Sequence, residues 1–164
     1  MIKKIGLLIS GVALIVTLAS AGQVEKDLEL CEKGDRVACN FLGNLYEKGS
    51  SSPYYSGLKM KINSTKAIYY YRKSCKMKNT SSCFSLGVIY AKGKGIKKDL
   101  IKAVEAYSKA CDGGHDYACN NLAVIYEQGA GVPQDNAKAL SLYAKACKIG
   151  DDIACQNYDV LNKK

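Results

Sequence analysis

Eight cysteines stand in four Cys-x7-Cys pairs, at 31 and 39, 75 and 83, 111 and 119, and 147 and 155. The pairs are themselves periodic. Cys75 to Cys111 and Cys111 to Cys147 are each a step of 36 residues, while Cys31 to Cys75 is a step of 44, one period plus eight inserted residues. A period of this length marks a solenoid, in which each unit buries its apolar face against the next.

The residues between the cysteines obey the same ruler. Aligned on the second cysteine of each pair, CNFLGNLYEKG (39–49), CFSLGVIYAKG (83–93) and CNNLAVIYEQG (119–129) share Cys, Leu, a small residue, Tyr and Gly at fixed offsets. Apolar positions three and four apart spell a helix, and the closing Gly49, Gly93 and Gly129 suit C-terminal caps, where a left-handed residue is needed. Ahead of the later pairs, AIYYYRKSC (67–75), AVEAYSKAC (103–111) and ALSLYAKAC (139–147) repeat Ala, then Tyr, then a small residue, then Cys. That is a second amphipathic helix. Tyr46, Tyr90 and Tyr126 hold one repeat position and Tyr71, Tyr107 and Tyr143 another, so these six are predicted to pack helices together. The last stretch, CQNYDVLNKK, loses the Leu-Gly and Tyr positions, as befits a terminal helix with no neighbour to cover it. The fold class is all-α, a solenoid of about 3.5 helix-pair repeats.

Within each pair one helix must stop and the next begin. Cysteines eight apart in one unbroken helix would lie about 12 Å apart along its axis, whereas a disulfide needs Cα atoms roughly 4.4 to 6.8 Å apart. Gly34, Asn79, Gly114 and Gly150 are the predicted stops, with Asp35, Thr80 and Asp151 as N-cap candidates. Of the many pairings open to eight cysteines, the periodicity favours the local ones: Cys31 with Cys39, Cys75 with Cys83, Cys111 with Cys119, and Cys147 with Cys155. Zinc is the alternative, although a spacing of seven falls outside its usual two to four or so.

Compartment decides between those readings, because thiols outside the cytosol end as disulfides. Lys3 and Lys4 precede an apolar stretch from Ile5 to Leu18, and Ala19-Ser20-Ala21 offers small residues to a signal peptidase. Residues 1–21 are therefore read as a signal peptide cleaved after Ala21, too short in its apolar run to span a bilayer stably. The expected location is the periplasm or the medium, with no stable membrane insertion after cleavage. The formal charge of +9 drops by two without Lys3 and Lys4. It is nearly all lysine, with only Arg36 and Arg72 to supply guanidinium, so nucleic acid is not an expected partner.

The units CFSLGVIYAKGKGIKKDLIKAVEAYSKAC and CNNLAVIYEQGAGVPQDNAKALSLYAKAC resemble Sel-one-like repeats, relatives of the tetratricopeptide repeat. With a Cys-x7-Cys pair in every unit and a signal peptide in front, the chain is similar to the Helicobacter cysteine-rich protein family of exported solenoids. On that resemblance residues 22–164 form one repeat domain. Its units run from about 31 to 74 (with the insertion), 75 to 110 and 111 to 146, and 147 to 164 cap the end. The resemblance implies a right-handed α-α superhelix of antiparallel helix pairs. The helix that starts near each second cysteine would line its concave side, placing Asn40, Asn44, Phe84, Val88, Asn120 and Val124 in a groove. It also implies binding or slow hydrolysis of β-lactams, or action on host cells.

The residues themselves argue less for catalysis. A serine β-lactamase needs a nucleophile beside a general base, in a Ser-x-x-Lys accompanied by Ser-Asp-Asn and Lys-Thr-Gly. Here Ser56 to Lys59 is the lone Ser-x-x-Lys, in a chain where both residues are common, and the other two motifs are absent. It falls in the Ser- and Tyr-rich insertion, between residues 50 and 65, that also carries Tyr54 and Tyr55. His115 is the single histidine, predicted to cap a helix or face water, and no cofactor or metal site suggests itself. Lys92, Lys94, Lys97, Lys98 and Lys102 crowd one loop and the helix after it, a solvated face or a surface for an acidic partner. The preferred reading is an exported binding scaffold for a peptide, protein or cell-wall fragment. The alternatives are a weak penicillin-binding protein or hydrolase, and a bridge between exported proteins.

Overall fold

The computed structural model describes residues 21–52 and 60–163. Ser56, Lys59, Tyr54, Tyr55 and the signal segment before Ala21 lie outside the described residues. The rest is a row of antiparallel helices: α1 (21–32), α2 (Arg36–Lys48), α3 (Ser64–Lys76), α4 (Thr80–Lys92), α5 (Leu100–Asp112), α6 (Asp116–Gln128), α7 (Asn136–Ile149) and α8 (Asp152–Asn162). No strand interrupts them among the described residues, and no described helix is long and apolar enough to cross a membrane. The architecture is the all-α helical superhelix expected.

Each helix pair closes on one repeated joint. The backbone N–H groups of Asn63, Asp99 and Asp135 donate to the carbonyls of Tyr46, Tyr90 and Tyr126 at 2.7, 3.0 and 2.9 Å. The same three side chains cap α3, α5 and α7 by accepting from the backbone of Lys66, Lys102 and Lys138. Those lysines then place Nζ over the rings of Tyr46, Tyr90 and Tyr126, 5.0, 5.8 and 4.1 Å from the centroids. A cation over an aromatic face is attractive, so one motif fixes the loop, the helix start and the tyrosine.

Tyr71, Tyr107 and Tyr143 are buried in the core beside Leu86, Ile89, Leu122 and Ile125. Close approach is why a small residue faces them. A methyl on Gly43 or Gly87 would stand 2.4 Å from a ring carbon of Tyr71 or Tyr107. The third pair has Ala123 at this position and buries it fully. Gly49, Gly93 and Gly129 do end α2, α4 and α6 with positive φ.

The four disulfides are the local ones: Cys31–Cys39, Cys75–Cys83, Cys111–Cys119 and Cys147–Cys155, with Cα atoms 4.7 to 4.8 Å apart. Each joins the end of one helix to the start of the next, α1 to α2, α3 to α4, α5 to α6 and α7 to α8. At these turns the sequence reading needs correction in the second and third cases. Gly34, Gly114 and Gly150 have positive φ, but in the second turn the left-handed residue is Lys78 (φ 62), not Asn79. Asn79 is instead the N-cap of α4, its side chain accepting from Ser82 N, and Thr80 is the first helical residue. An Asn that bonds two or three residues ahead is worth more at the cap than in the turn before it. Asp35 and Asp151 cap α2 and α8 as expected. His115 takes the N-cap position of α6 without making a capping bond.

Candidate functional site

One stripe runs along the helices that follow each disulfide. Residues three, four and seven apart share a helix face, so Val37, Asn40 and Asn44 on α2 correspond to Ser81, Phe84 and Val88 on α4. Tyr117, Asn120 and Val124 follow on α6, and Ile153, Gln156 and Val160 on α8. The six residues singled out from the sequence are all half-buried, and the structure gives half of them a lateral task. Asn40 Oδ1 lies 2.8 Å from Ser82 Oγ. Phe84 stacks on His115 with ring centroids 4.4 Å apart and 19° between planes. Asn120 Oδ1 accepts from Asn157 Nδ2 at 3.1 Å. Residues at one repeat position thus join α2 to α4, α4 to α6 and α6 to α8 by different chemistry. Asn44 Oδ1 accepts from Ser52 Oγ at 2.9 Å, and Val88 and Val124 lean on the core.

The exposed part of the stripe lies one turn earlier and was missed in the sequence. Val37, Tyr117 and Ile153 share one repeat position and are 46%, 54% and 57% exposed. On α8, Val160 adds 59% exposure. The position is apolar on three of the four helices, with Ser81 on α4 between Val37 and Tyr117, and apolar side chains recurring at one exposed position mark a contact surface. The signal was available, since Val37, Ser81, Tyr117 and Ile153 all stand two before the second cysteine. It is inconspicuous in the chain because Ser81 interrupts the apolar series on α4.

Beneath the stripe lie the tyrosine hydroxyls. Tyr71 donates to Glu47 Oε2 and Tyr143 to Glu127 Oε2, each at 2.8 Å. Burial and the neighbouring carboxylate together hold the Tyr71 phenol well above its ordinary pKa, and burial with Glu127 does the same for Tyr143. The middle pair has Ala91 where the others have Glu, and Tyr107, raised by burial alone, turns to Asn121. Neutral phenols of this kind are donors, not nucleophiles.

His115 has its pKa lowered, chiefly by loss of solvation, against a smaller opposing pull from Asp116. Asp116 Oδ1 is 3.6 Å from Nδ1, too long for a hydrogen bond, and Nδ1 is buried without a partner. The lysine run does not act as a unit: Lys94 reaches Glu47 at 3.4 Å and Lys102 pairs with Asp99 at 2.7 Å, while Lys92, Lys97 and Lys98 are exposed. No cysteine is free, and no three metal-binding side chains converge among the described residues. Four bridged pairs suit a compartment outside the reducing cytosol.

Comparison with known proteins agrees with this geometry. A sequence model described as the Sel1 repeat matches residues 36–79, 80–115 and 116–151, so the Cys75–Cys83 and Cys111–Cys119 disulfides each lie across the boundary from one matched repeat to the next. A Helicobacter pylori protein, HcpC, which bears a provisional β-lactamase name, is 47% identical over 36 residues, 22% of this chain and 12% of that protein. The chain therefore matches only a small part of HcpC's length. Among solved structures, a Sel1 repeat protein from Oxalobacter formigenes superposes with a TM-score of 0.70 at 26% identity, over 82% of this chain and 96% of that one. Helicobacter pylori cysteine rich protein B does so with 0.61 at 29%, over 84% and 93%. A protective antigen of uropathogenic Escherichia coli, with 0.73 at 23% over 91% and 33%, shares the fold. The chain belongs to the Sel1 repeat family.

Proposed function

We propose that this protein is an extracytoplasmic interaction scaffold that holds a peptide or protein partner along the stripe of α2, α4, α6 and α8. Sel1 repeats are protein-interaction modules, and the finer reading rests on one observation: Val37, Tyr117 and Ile153 stand exposed at a single repeat position. Beside them the residues change from repeat to repeat, Asn40, Phe84 and Asn120 at one position and Asn44, Val88 and Val124 at another, while the Leu positions underneath stay fixed. A fixed frame under a varied surface is what selective recognition requires. The site is small, so affinity depends on a few aromatic and aliphatic anchors, Tyr117 foremost. Release to the periplasm or the medium after removal of residues 1–21 belongs to the same proposal.

Selection of displayed peptides on the oxidised protein tests it. Enrichment should occur and should vanish for a variant carrying Val37→Ser, Tyr117→Ser and Ile153→Ser. Equal enrichment on both proteins would refute the stripe. The β-lactam reading is favoured by the name of HcpC alone. It is tested by turnover of a chromogenic β-lactam by the oxidised protein, a Ser56→Ala variant and a mock preparation. The scaffold reading expects all three rates to coincide. A rate above the mock that Ser56→Ala abolishes would make the insertion an active site.

A further inference from the structure

The other row of helices carries a groove that no lateral contact fills. Between α3 and α5 a cavity of about 560 Å³ is floored by the Cys75–Cys83 disulfide and rimmed by Lys76 and Lys78 on one side and Lys109 on the other. A second cavity of about 230 Å³ shares Cys75, Lys76 and Lys109 and extends the groove to Arg72, over Leu86 and Ala106. The combination is an apolar floor between a basic α3 wall and an α5 wall of mixed charge, where Glu105 and Asp112 stand among Lys102 and Lys109.

Three of the lysines on those walls stand outside the ion pairs that hold their neighbours. Lys73, one turn from Lys76, pairs with Glu32, and Lys102 on α5 pairs with Asp99. Lys76, Lys78 and Lys109 enter none of the ion pairs found among the described residues. The Arg72 guanidinium donates to the Tyr90 hydroxyl at 2.8 Å. Lys78 is placed there at a backbone cost. It alone among the described non-glycine residues has positive φ, in a turn whose counterparts are Gly34, Gly114 and Gly150. A side chain kept in the left-handed region, where glycine would be easier, points to a use for that side chain.

We infer that this groove binds an acidic peptide segment in extended form, with carboxylates against Lys76, Lys78 and Lys109 and an apolar residue on the disulfide floor. From Arg72 to Lys76 the helical wall is roughly 6 Å long at about 1.5 Å per residue, the span of about two extended residues, and Lys78 stands in the turn beyond it. Alternating side chains of such a segment point to opposite edges, acidic to the rim and apolar to the floor. Glu105 and Asp112 on α5 also border the groove, and they disfavour an unbroken polyanion such as a sulfated polysaccharide. The site lies apart from the stripe proposed above, so either can fail without the other.

The experiment is fluorescence anisotropy of a labelled Glu-Leu-Glu-Leu-Glu peptide titrated with the full oxidised protein at physiological ionic strength. Saturable binding is expected, weakened at least tenfold by Lys76→Ala with Lys109→Ala and unchanged by Lys148→Ala, an exposed lysine of α7. Lys78→Gly separates a ligand contact from a structural role: it should weaken binding several-fold while raising the melting temperature. The stripe variant with Val37→Ser, Tyr117→Ser and Ile153→Ser should bind this peptide as the parent does. The inference is overturned by absence of saturable binding, or by loss with Lys148→Ala equal to that of the double variant. Heparin binding tighter than the peptide through the same lysines overturns it too, as does Lys78→Gly that stabilises the fold and leaves affinity intact.

Discussion

The seam between α3 and α4 and the seam between α5 and α6 are built on the same disulfide, yet their interiors differ. In the first, Ser74 and Ser82 flank the bridge, both fully buried. Ser82 Oγ lies 2.8 Å from Ser74 Oγ and from Asn40 Oδ1, and Ser74 Oγ donates to the Arg36 carbonyl at 2.6 Å. In the second, Ala110 and Ala118 hold those positions, also fully buried, and the lateral link is the Phe84–His115 stack. One seam is a polar chain joining α2, α3 and α4. The other is apolar and leans on a desolvated imidazole. A covalent staple therefore fixes where the chain reverses, while the small residues around it decide how neighbouring repeats are held.

The largest effect on this comparison comes from removing the staples. Cys75→Ala with Cys83→Ala and Cys111→Ala with Cys119→Ala should each lower unfolding free energy by roughly 2 to 3 kcal/mol, since each closes a loop of the same length in the unfolded chain. Native-state hydrogen exchange should then tell the seams apart. The start of α4, still held by Ser82, should exchange more slowly than the start of α6. Equal exchange would mean that the serine chain adds nothing.

Ser82→Ala attacks the polar seam directly. It removes the hydroxyl that meets the half-buried Asn40 Oδ1 and should cost about 1 kcal/mol by denaturant unfolding, the ordinary net contribution of a hydrogen bond. Added to Ser74→Ala, it should cost less than the sum of the two single changes, because neighbours in one network do not add. Strict additivity would break the picture of a chain.

A smaller contrast lies in the tyrosines. Tyr71→Phe leaves the Glu47 carboxylate without its phenol donor and should cost about 1.5 kcal/mol or more, as expected for a hydrogen bond to a charged group. Tyr107→Phe, with Ala91 in place of a carboxylate, should cost less in the same thermal unfolding series.

The smallest effect is on pH. The His115 pKa is lowered in the fold from 6.5 by desolvation, so the unfolded chain binds the proton first. Its stabilising contribution is complete above pH 6.5 and is lost as pH falls through the folded value. Melting temperatures taken from pH 7.5 to 5 should decline more in the parent than in His115→Asn. That variant also supplies the cap that Asn79 supplies to α4. Parallel curves would remove His115 from the account.

Much of this was legible in the chain because it is local. Gly49, Gly93 and Gly129 could be read as helix ends, and the cysteine pairs as turns, since each depends on residues no more than eight apart in the chain. Asn79 and Thr80 stand one place from their expected roles for a local reason too: Asn suits both the left-handed turn and the N-cap, and only the bond from Ser82 N decides between them. The exposed row at Val37, Tyr117 and Ile153 was written at a fixed offset but needed burial to be seen. The site of the α3–α5 groove was not legible, because nothing in the spacing tells which lysines find carboxylates.

The repeat length, the helix order, the reversals at the cysteines and the tyrosines that fill the core are written in the chain. These follow from periodicity and from chain geometry over a few residues. The tertiary structure alone decided what passes between repeats: Asn40 to Ser82 across 42 residues, Asn120 to Asn157 across 37, and Phe84 to His115. It also decided that Lys76 and Lys109 share a groove. Such contacts depend on the rotation of one helix pair against the next. That rotation is set by side-chain packing summed over a whole interface, a quantity that no single spacing in the chain encodes.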